Sequence, residues 1–382
     1  MPIAAHHRTY AAFFLFAVTS GAFLSRIPDL QTRLAINKSE LGLTLIGLAI
    51  GSLISLTFSS PIIMKLGARL TLAITLLGTA ALLAITPYLP DAPAVFAVLF
   101  LTGLLGGAFE INLNLEIGRI EAQSGFSFMN RAHGFWSVGF FITAMTAAFI
   151  RQAEIPVAMH LFAILVCVCL AGAVILNGMT GAPDSNAEKP KMPLFAMPTL
   201  GLAPLCLIGI AAFLVEGAGI DWSAIYMRDV FAAEPFIGGS GLTLFAFFMA
   251  LARLVVDPII DRVGARRVAV VLLLIASGGG AMVWLAPTPW IALAGFALMG
   301  AGCSAVYPMA VSAAAQRKDR PSAVNVAAVS QMSFVVFFLA PPFLGFIAEA
   351  FGIRNAYLAC LPLIIASIFA TSSLTSEGRA EN

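Results

Sequence analysis

The stretch LTGLLGGAFEINLNLEIGR, residues 101–119, places the acidic residue Glu110 inside a long apolar run. A bilayer core of about 30 Å is spanned by roughly 20 apolar residues in a helix, which puts this acid near the midplane. A carboxylate at that depth is costly unless it is protonated, paired or hydrated. At a helical period, its face also carries Gly103, Gly106, Gly107 and Asn114. A stripe of small and polar residues favours a packed or water-lined interface over lipid.

Two interpretations of Glu110 remain open at this level. The acid either holds a neighbouring helix by a hydrogen bond, or acts as a protonatable or solute-binding group. The second is favoured because ionisable residues inside membranes are usually functional. An intramembrane enzyme using His133 with Glu110 is disfavoured, since no nucleophile or metal motif accompanies them.

The composition points to an integral membrane protein. Of 382 residues, 60% are hydrophobic and 10% are charged, against about 25% charged in soluble domains. The net charge is +2, and no basic stripe suggests nucleic acid. The cysteines lie in apolar runs and are interpreted as small buried hydrophobes: Cys167, Cys169, Cys206, Cys303 and Cys360. We expect no metal, no cofactor and no enzymatic activity.

Apolar runs of membrane-spanning length recur along the chain and predict an all-α architecture of twelve transmembrane helices. The predicted spans are 9–28, 39–64, 70–89, 94–118, 132–150, 157–178, 199–226, 238–260, 268–286, 290–314, 323–347 and 355–374. The first is interpreted as an uncleaved span, not a signal peptide. A polar segment, 179–198, predicts a cytoplasmic linker between six-helix bundles at 1–178 and 199–382.

The loop charges predict the orientation. Fourteen lysines and arginines fall on the side of the termini and six on the other. Positive charge favours the cytoplasmic side, so both termini are expected there, in a multi-pass protein of the cell (inner) membrane.

The two halves repeat. KLGAR at 65–69 matches RVGAR at 262–266, an offset of 197 residues (67 to 264), and LTG at 101–103 falls on LMG at 298–300. The shared offset indicates duplication, and parallel six-helix repeats are a known transporter plan. It makes Tyr307 the counterpart of Glu110.

The loop DRVGARR at 261–267 resembles the DRxGRR loop of the major facilitator superfamily, and the resemblance covers essentially the whole chain. Within that superfamily the chain is similar to the fucose-permease-like group, through Glu110-x-x-x-Asn114, Asn130-x-x-His133 and the stretch 215–222. The resemblance implies proton-coupled symport of a small polar solute such as a sugar. The chain departs from the group in two places: Met64 replaces an aspartate in the first-half loop, and the first span lacks an acid before Arg26.

The candidate site residues follow from these patterns. Proton coupling is assigned to Glu110. Solute binding is assigned to Glu110, Asn114, Trp136, Glu216, Tyr307, Asn325 and Gln331. Gating is assigned to Arg26, His133, Asp221, Arg253, Asp257, Asp261, Arg262 and Arg266. Arg253 and Asp257 are expected to pair at i, i+4, and Arg26 either snorkels, the interpretation slightly favoured, or faces the cavity.

The sequence thus predicts a monomeric secondary active transporter in the lipid bilayer, whose halves alternate access to a central cavity. Its partners are a small-molecule solute and protons. Efflux of an amphipathic compound is the rival transport function, and a solute sensor without flux is the rival from another class. A cavity rich in phenylalanine and methionine favours efflux, whereas one with many hydrogen-bond donors favours a polar solute.

Overall fold

The computed structural model describes residues 4–124, 129–179 and 196–374. Over these residues the chain is helical and contains no strand. It divides into two compact units, Met1–Glu188 and Lys189–Asn382. The break falls within the predicted linker, most of which lies outside the described residues, so the boundaries of the linker remain a prediction.

Unit 1 contains eight helices among its described residues. They are α1 (Ala5–Leu24), α2 (Ile27–Leu34), α3 (Lys38–Phe58), α4 (Ser60–Leu66), α5 (Ala68–Ile85), α6 (Ala92–Ser124), α7 (Met129–Gln152) and α8 (Val157–Leu176). Local sequence explains several ends. Asn37 and Glu40 form a reciprocal capping box that starts α3, and prolines occupy the first turns of α2 and α4.

Unit 2 also contains eight helices in the part described. They are α9 (Ala203–Phe231), α10 (Pro235–Val263), α11 (Ala265–Leu285), α12 (Pro289–Cys303), α13 (Val306–Gln316), α14 (Ser322–Phe351), α15 (Ile353–Leu358) and α16 (Leu361–Ala370). The predicted tenth span is broken between α12 and α13, at Ser304 and Ala305.

Eleven helical segments within the described ranges are long and apolar enough to cross a membrane, and the bent pair α1–α2 makes a twelfth if it counts as one span. The two helices of that pair meet at 40°. The predicted all-α membrane architecture is therefore confirmed. The first span differs from the prediction, because its helix starts at Ala5 and breaks beside Arg26.

The same glycine turn joins helices at equivalent places in both units. Gly67 separates α4 from α5 with φ +78° and ψ 155°, and Gly264 separates α10 from α11 with φ +88° and ψ 146°. Residues with a Cβ rarely adopt this backbone. The shared geometry at an offset of 197 residues confirms the predicted repeat.

Equivalent close helix contacts also recur. A side chain on Gly103 of α6 would collide with the carbonyl oxygen of Leu48 in α3. A side chain on Gly300 of α12 would collide with that of Phe245 in α10. Gly300 is the counterpart of Gly103, and Phe245 is the counterpart of Leu48, both at the offset of 197 residues. The interpretation of the small residues near Gly103 as helix packing is confirmed.

Each unit has its own core. In unit 1 a cluster of aliphatic and aromatic residues from α1, α5, α6 and α8 is buried. In unit 2 large aromatic side chains are fully buried, among them Trp222, Tyr226, Phe245, Phe296 and Tyr357.

The interpretation of all five cysteines as buried is wrong for two of them. Cys206, Cys303 and Cys360 are buried, but Cys167 and Cys169 are exposed. These two lie on α8, where only 28% of the span is buried inside the protein. An apolar helix of this kind keeps an apolar outer face, and hydropathy alone does not distinguish that face from a core.

Candidate functional site

A cavity of about 150 Å³ lies inside unit 1, and Glu110 lines it. Its walls come from α1, α3, α5 and α6: Phe16, Ser20, Phe23, Leu24, Leu48, Ser52, Thr79, Leu83, Thr102, Gly106, Gly107 and Glu110. Glu110 is exposed to this space although its helix is apolar. Among the described residues it makes no hydrogen bond or ion pair. The acid is therefore available to a proton, a water molecule or a solute.

The glycines of α6 create the space in front of Glu110. Gly106 and Gly107 line the cavity, and a side chain on Gly107 would lie 2.8 Å from the carbonyl oxygen of Ser52. The close approach of α3 and α6 therefore fixes one wall. The absence of side chains at these glycines leaves room on the face that Glu110 shares.

Hydroxyl groups supply most of the remaining polar lining. The Ser52 hydroxyl donates to the Gly103 carbonyl at 3.2 Å, and the Thr102 hydroxyl donates to the Val98 carbonyl at 2.8 Å. The Thr79 hydroxyl is buried and has no hydrogen-bond partner in the described part of the chain. Such an unpaired buried group is costly unless a water molecule or a solute completes it.

Sequence reasoning missed these hydroxyls, although a signal was present. Thr71, Thr75 and Thr79 recur every four residues along α5, and all three are buried. The first two hydroxyls donate to backbone carbonyls one turn earlier, at Gly67 and Thr71. A stripe of threonines at helical spacing in an apolar run therefore marks the face of α5 that carries the cavity residue.

Two other predicted residues of unit 1 lie outside the cavity lining. Asn114 is half-buried, and its side-chain oxygen has no hydrogen-bond partner among the described residues. Trp136 is half-buried and stacks on Phe140, with ring centroids 5.3 Å apart. Solute binding by either residue stays a prediction.

Unit 2 holds a second charged group, centred on Arg253. Arg253 Nη2 lies 3.6 Å from Oε2 of Glu216, and Arg253 Nε donates to the carbonyl of Ser304 at 2.9 Å. That carbonyl lies at the break between α12 and α13. The arginine thus pairs with residues of other helices, and the expected pair with Asp257 stays a prediction. The side chain of Asp257, its predicted partner, lies outside the described residues.

Glu216 and Asp221 both lie on α9. Asp221 is half-buried and makes no hydrogen bond or ion pair in the part described. Trp222 beside it is fully buried, in line with a structural role. Tyr307, the repeat counterpart of Glu110, donates to the Ser330 hydroxyl at 3.0 Å.

Arg26 lies in a buried ionic network at the break between α1 and α2. Its side chain is 4% exposed; Nη1 contacts Asp29 at 3.2 Å, and Nε donates to His160 Nδ1 at 3.1 Å. Arg151 shares Asp29, with Nε 2.9 Å from the carboxylate. The snorkelling interpretation is therefore wrong, because the guanidinium is enclosed by protein partners. Sequence could not reveal the contact with His160, which lies 134 residues away.

Two predicted solute ligands of unit 2 are engaged elsewhere. Asn325 is fully buried; it accepts from Arg320 Nε at 3.1 Å and donates to Asp319 at 3.0 Å. The Gln331 side-chain oxygen accepts from the backbone N–H of Ala196 at 2.8 Å. These contacts brace the loop before α14 and the segment before α9, which argues against free solute ligands at both positions. Hydrogen bonds from Arg317 and Asn325 hold the pKa of Asp319 below its usual value.

The remaining predicted gating residues are exposed: His133, Asp261, Arg262 and Arg266. His133 packs its ring against Phe13, with centroids 4.6 Å apart. A gating role for these residues stays a prediction.

Two bundles of apolar helices, an internal repeat and polar groups within the spans define a multi-pass membrane transporter. The family model described as Major Facilitator Superfamily matches residues 205–381. The chain is 30% identical to the uncharacterized transporter y4wD of Sinorhizobium fredii, over 91% of this chain and 92% of that protein. It is 27% identical to the membrane protein MosC of Rhizobium meliloti, over 91% and 84%. The chain belongs to the major facilitator superfamily.

Solved structures share the fold. The nucleoside transporter NupG matches with a TM-score of 0.77 at 13% identity, covering 97% of this chain and 99% of that one. The human organic anion transporter MFSD10 (TETRAN) matches with a TM-score of 0.61 at 14% identity, covering 96% and 98%. At such identities the likeness concerns the fold alone.

Proposed function

We propose that this transporter is a symporter that moves a small polar metabolite together with protons, with Glu110 as the proton-coupling residue. The observation that carries the proposal is a carboxyl group that lines a cavity and has no protein partner among the described residues. A proton neutralises such a group, and loss of that proton restores a charge that favours hydration. Protonation of Glu110 therefore stabilises the empty cavity and the solute-filled cavity to different extents.

The lining favours a polar solute over an amphipathic one. Four hydroxyl-bearing residues and one acid line the cavity, beside three leucines, two phenylalanines and no methionine. The free hydroxyl of Thr79 adds a hydrogen-bonding position that an apolar compound would leave unsatisfied. Efflux of an amphipathic compound is accordingly the weaker candidate. The resemblance to the fucose-permease-like group supports a sugar or a related metabolite.

The proposal also covers the membrane location of the protein and the mechanism of transport. The excess of lysine and arginine in one set of loops supports an inner-membrane protein with both termini in the cytoplasm. Alternating access by a monomer agrees with the duplicated six-helix units. No nucleotide-binding motif occurs in the sequence, which makes an ion gradient the energy source.

The test uses purified protein in sealed liposomes. A thermal-shift screen of sugars, nucleosides and amino acids selects a solute, because a bound ligand stabilises the folded protein. We expect an imposed pH gradient, acidic outside, to drive accumulation of that solute by the wild type. Glu110→Gln should abolish the accumulation driven by the gradient while exchange of solute across the membrane persists. Glu349→Gln, an exposed acid on α14, is the matched control and should behave as wild type.

Three outcomes would contradict the proposal. Unchanged accumulation in Glu110→Gln would remove this acid from coupling. Accumulation that runs only in the export direction would favour efflux. A solute that stabilises the protein but never crosses the membrane would favour a sensor.

A further inference from the structure

Arg253 in unit 2 is fixed on one edge and open on the other. Its Nε donates to the Ser304 carbonyl at 2.9 Å, and its side chain remains 36% exposed. A guanidinium has five N–H donors in a rigid planar arrangement. The described residues use one of them in a hydrogen bond, so the edge formed by Nη1 and Nη2 is available.

Glu216 neutralises Arg253 without occupying that edge. The distance from Nη2 to Oε2 is 3.6 Å, longer than a hydrogen bond. A carboxylate that fully engages a guanidinium forms two parallel bonds of about 2.7–2.9 Å. The pair in unit 2 is therefore a loose contact that a better-placed carboxylate can replace.

The anchor of Arg253 lies at a broken helix. The span containing α12 and α13 is interrupted at Ser304 and Ala305, which frees the Ser304 carbonyl for the arginine. Interrupted helices in transporters commonly lie beside the solute site, where backbone groups and helix ends face the ligand. The break thus supplies the carbonyl that anchors one edge of the guanidinium and leaves the other edge beside the helix ends.

We propose that Arg253 binds a carboxylate group of the transported solute, and that Glu216 releases Arg253 and accepts a proton as the solute binds. The proposal rests on the proposed transport function and narrows its substrate to carboxylate-bearing metabolites. The exchange is a change of ion-pair partner: the guanidinium leaves the carboxylate of Glu216 for that of the solute, and no covalent bond changes.

The charges around Arg253 couple binding of the solute carboxylate to binding of a proton. Glu216 already balances the charge of Arg253, so an added carboxylate would leave one uncompensated negative charge in an apolar bundle. Protonation of Glu216 removes this charge, and protonation of Asp221 on the same helix would act in the same direction. Binding should therefore become tighter as the pH falls, because the protonated state of Glu216 no longer competes for Arg253.

The other titratable side chains packed around α9 do not change this sign. Among the described residues they include Cys206 and Tyr226 on α9 itself, Cys303 at the end of α12, Tyr307 on α13, Arg354 and Tyr357 on α15 and Cys360 before α16, with Glu349 exposed on α14. Thiols and phenols are ordinarily neutral near pH 7. Tyr357 donates to the Ala218 carbonyl at 3.1 Å, so it is already bonded to α9 itself.

The experiment measures the thermal stability of the full-length protein in detergent with three pairs of probes: gluconate and glucose, glutamate and glutamine, benzoate and benzamide. We expect at least one carboxylate to raise the Tm by about 2 °C or more, and its neutral partner to do less. Arg253→Gln should lose the shift, and Arg253→Lys should retain part of it. Arg228→Gln is the matched control, since Arg228 is 33% exposed and paired with Asp229. It should keep the shift.

Glu216→Gln gives an independent measurement that does not depend on the folding of Arg253→Gln. Removing the competing carboxylate should tighten binding of the same probe about tenfold at pH 8 and abolish the dependence on pH. A variant without a role in the exchange would leave the pH profile of the wild type unchanged.

The proposal is overturned if no carboxylate stabilises the wild type more than its neutral partner does, or if Arg253→Gln and Glu216→Gln both bind like the wild type. Transport by Glu110 is scored separately. Gradient-driven uptake of a neutral solute, with no effect of Arg253→Gln, would sink the carboxylate proposal and leave the proposed function standing. Binding of a carboxylate through Arg253 without any gradient-driven uptake would contradict the proposed function, and with it the claim that the bound carboxylate belongs to a transported solute, while the carboxylate site itself would stand.

Discussion

The two units share a frame and differ in where their ionisable residues lie. Unit 1 has Glu110 where unit 2 has Tyr307, and unit 2 has Glu216 where unit 1 has Thr19. The break between α1 and α2 and its counterpart in unit 2 differ as well. Arg26, Asp29 and Arg151 form an ionic network in unit 1. The counterpart of Asp29 is Tyr226, which donates to the Val283 carbonyl among aromatic rings. Duplication therefore preserved the helix contacts, whereas the polar chemistry diverged.

The largest expected effect tests the shared frame. Gly103→Ala and Gly300→Ala each place a methyl group against a carbonyl oxygen of the facing helix. We expect each to lower the free energy of unfolding by more than about 3 kcal/mol, because a backbone contact cannot relax by a change of rotamer. Gly278→Ala is the control, since no atom lies near its added methyl group. Thermal unfolding of the three variants would disprove a shared frame if only one unit were sensitive.

The next effect distinguishes the ionic network at the break between α1 and α2 from the aromatic cluster around Tyr226. Asp29→Asn leaves two nearly buried arginines without their acid and should cost about 3 kcal/mol. Tyr226→Phe removes one hydrogen bond and should cost about 1 kcal/mol. Thermal unfolding at low and high salt is the measurement. Only Asp29→Asn should change how the stability depends on salt. Equal losses of stability in both variants would contradict the view that one region is held by ion pairs and the other by aromatic packing.

The glycine turns give a smaller pair of effects. Gly67→Ala and Gly264→Ala should each cost about 2 kcal/mol, because both positions have positive φ and ψ near 150°. No neighbouring atom lies close to either added methyl group, so the cost is backbone strain alone. Double-variant unfolding should be additive, and a cost in only one variant would show that the turns are not equivalent.

The cavity of unit 1 predicts a change in binding without a loss of stability. Thr79→Val keeps the shape of the side chain and removes a buried hydroxyl that lacks a partner. Stability should be unchanged or slightly higher, whereas the KM for the transported solute should rise about tenfold, near 1.4 kcal/mol. Thr75→Val is the control from the same stripe, since its hydroxyl bonds the Thr71 carbonyl. Equal KM values for the two variants would place the solute elsewhere.

The smallest effect concerns the loop before α14. The pKa of Asp319 is held below its ordinary value, so its ionised form stabilises the fold at neutral pH, and this contribution is lost as the pH falls through the folded-state pKa. Asp319→Asn should therefore lower the Tm slightly at pH 7 and have no effect in acid. The side chain is exposed, and solvent screening keeps the difference small. A larger difference in acid would reverse the sign and contradict this account.

Much of the fold was predictable because its cause is local. Hydropathy located the spans, and the glycine loops at 67 and 264 revealed the repeat. Glu110 could be identified because an acid deep inside an apolar run has few explanations. The break at Ser304 has a local cause that the sequence analysis did not use, since Pro308 lacks the N–H that would bond the Ser304 carbonyl. The arginine that takes up this carbonyl lies 51 residues away and was not predictable.

Other parts of the site were hidden for the same reason. His160, which bonds Arg26, and Ser304 and Glu216, which contact Arg253, lie far away in sequence. The sequence pattern therefore favoured snorkelling for Arg26 and could not show these contacts. The engagement of Asn325 and Gln331 depends on the path of the chain at 196–197 and 319–320, which follows from tertiary packing. Local patterns therefore identified the ionisable residues but not their interaction partners.

The glycine seam between α3 and α6 bears on how such a transporter changes over evolutionary time. Gly103 and Gly107 admit almost no replacement, because each faces a carbonyl oxygen of α3. Residues that line the adjoining cavity, such as Ser20 and Thr79, face open space, so their substitution should cause few steric clashes. A fixed helix contact beside a variable lining would let related proteins change the solute that they bind while they keep the same helix packing.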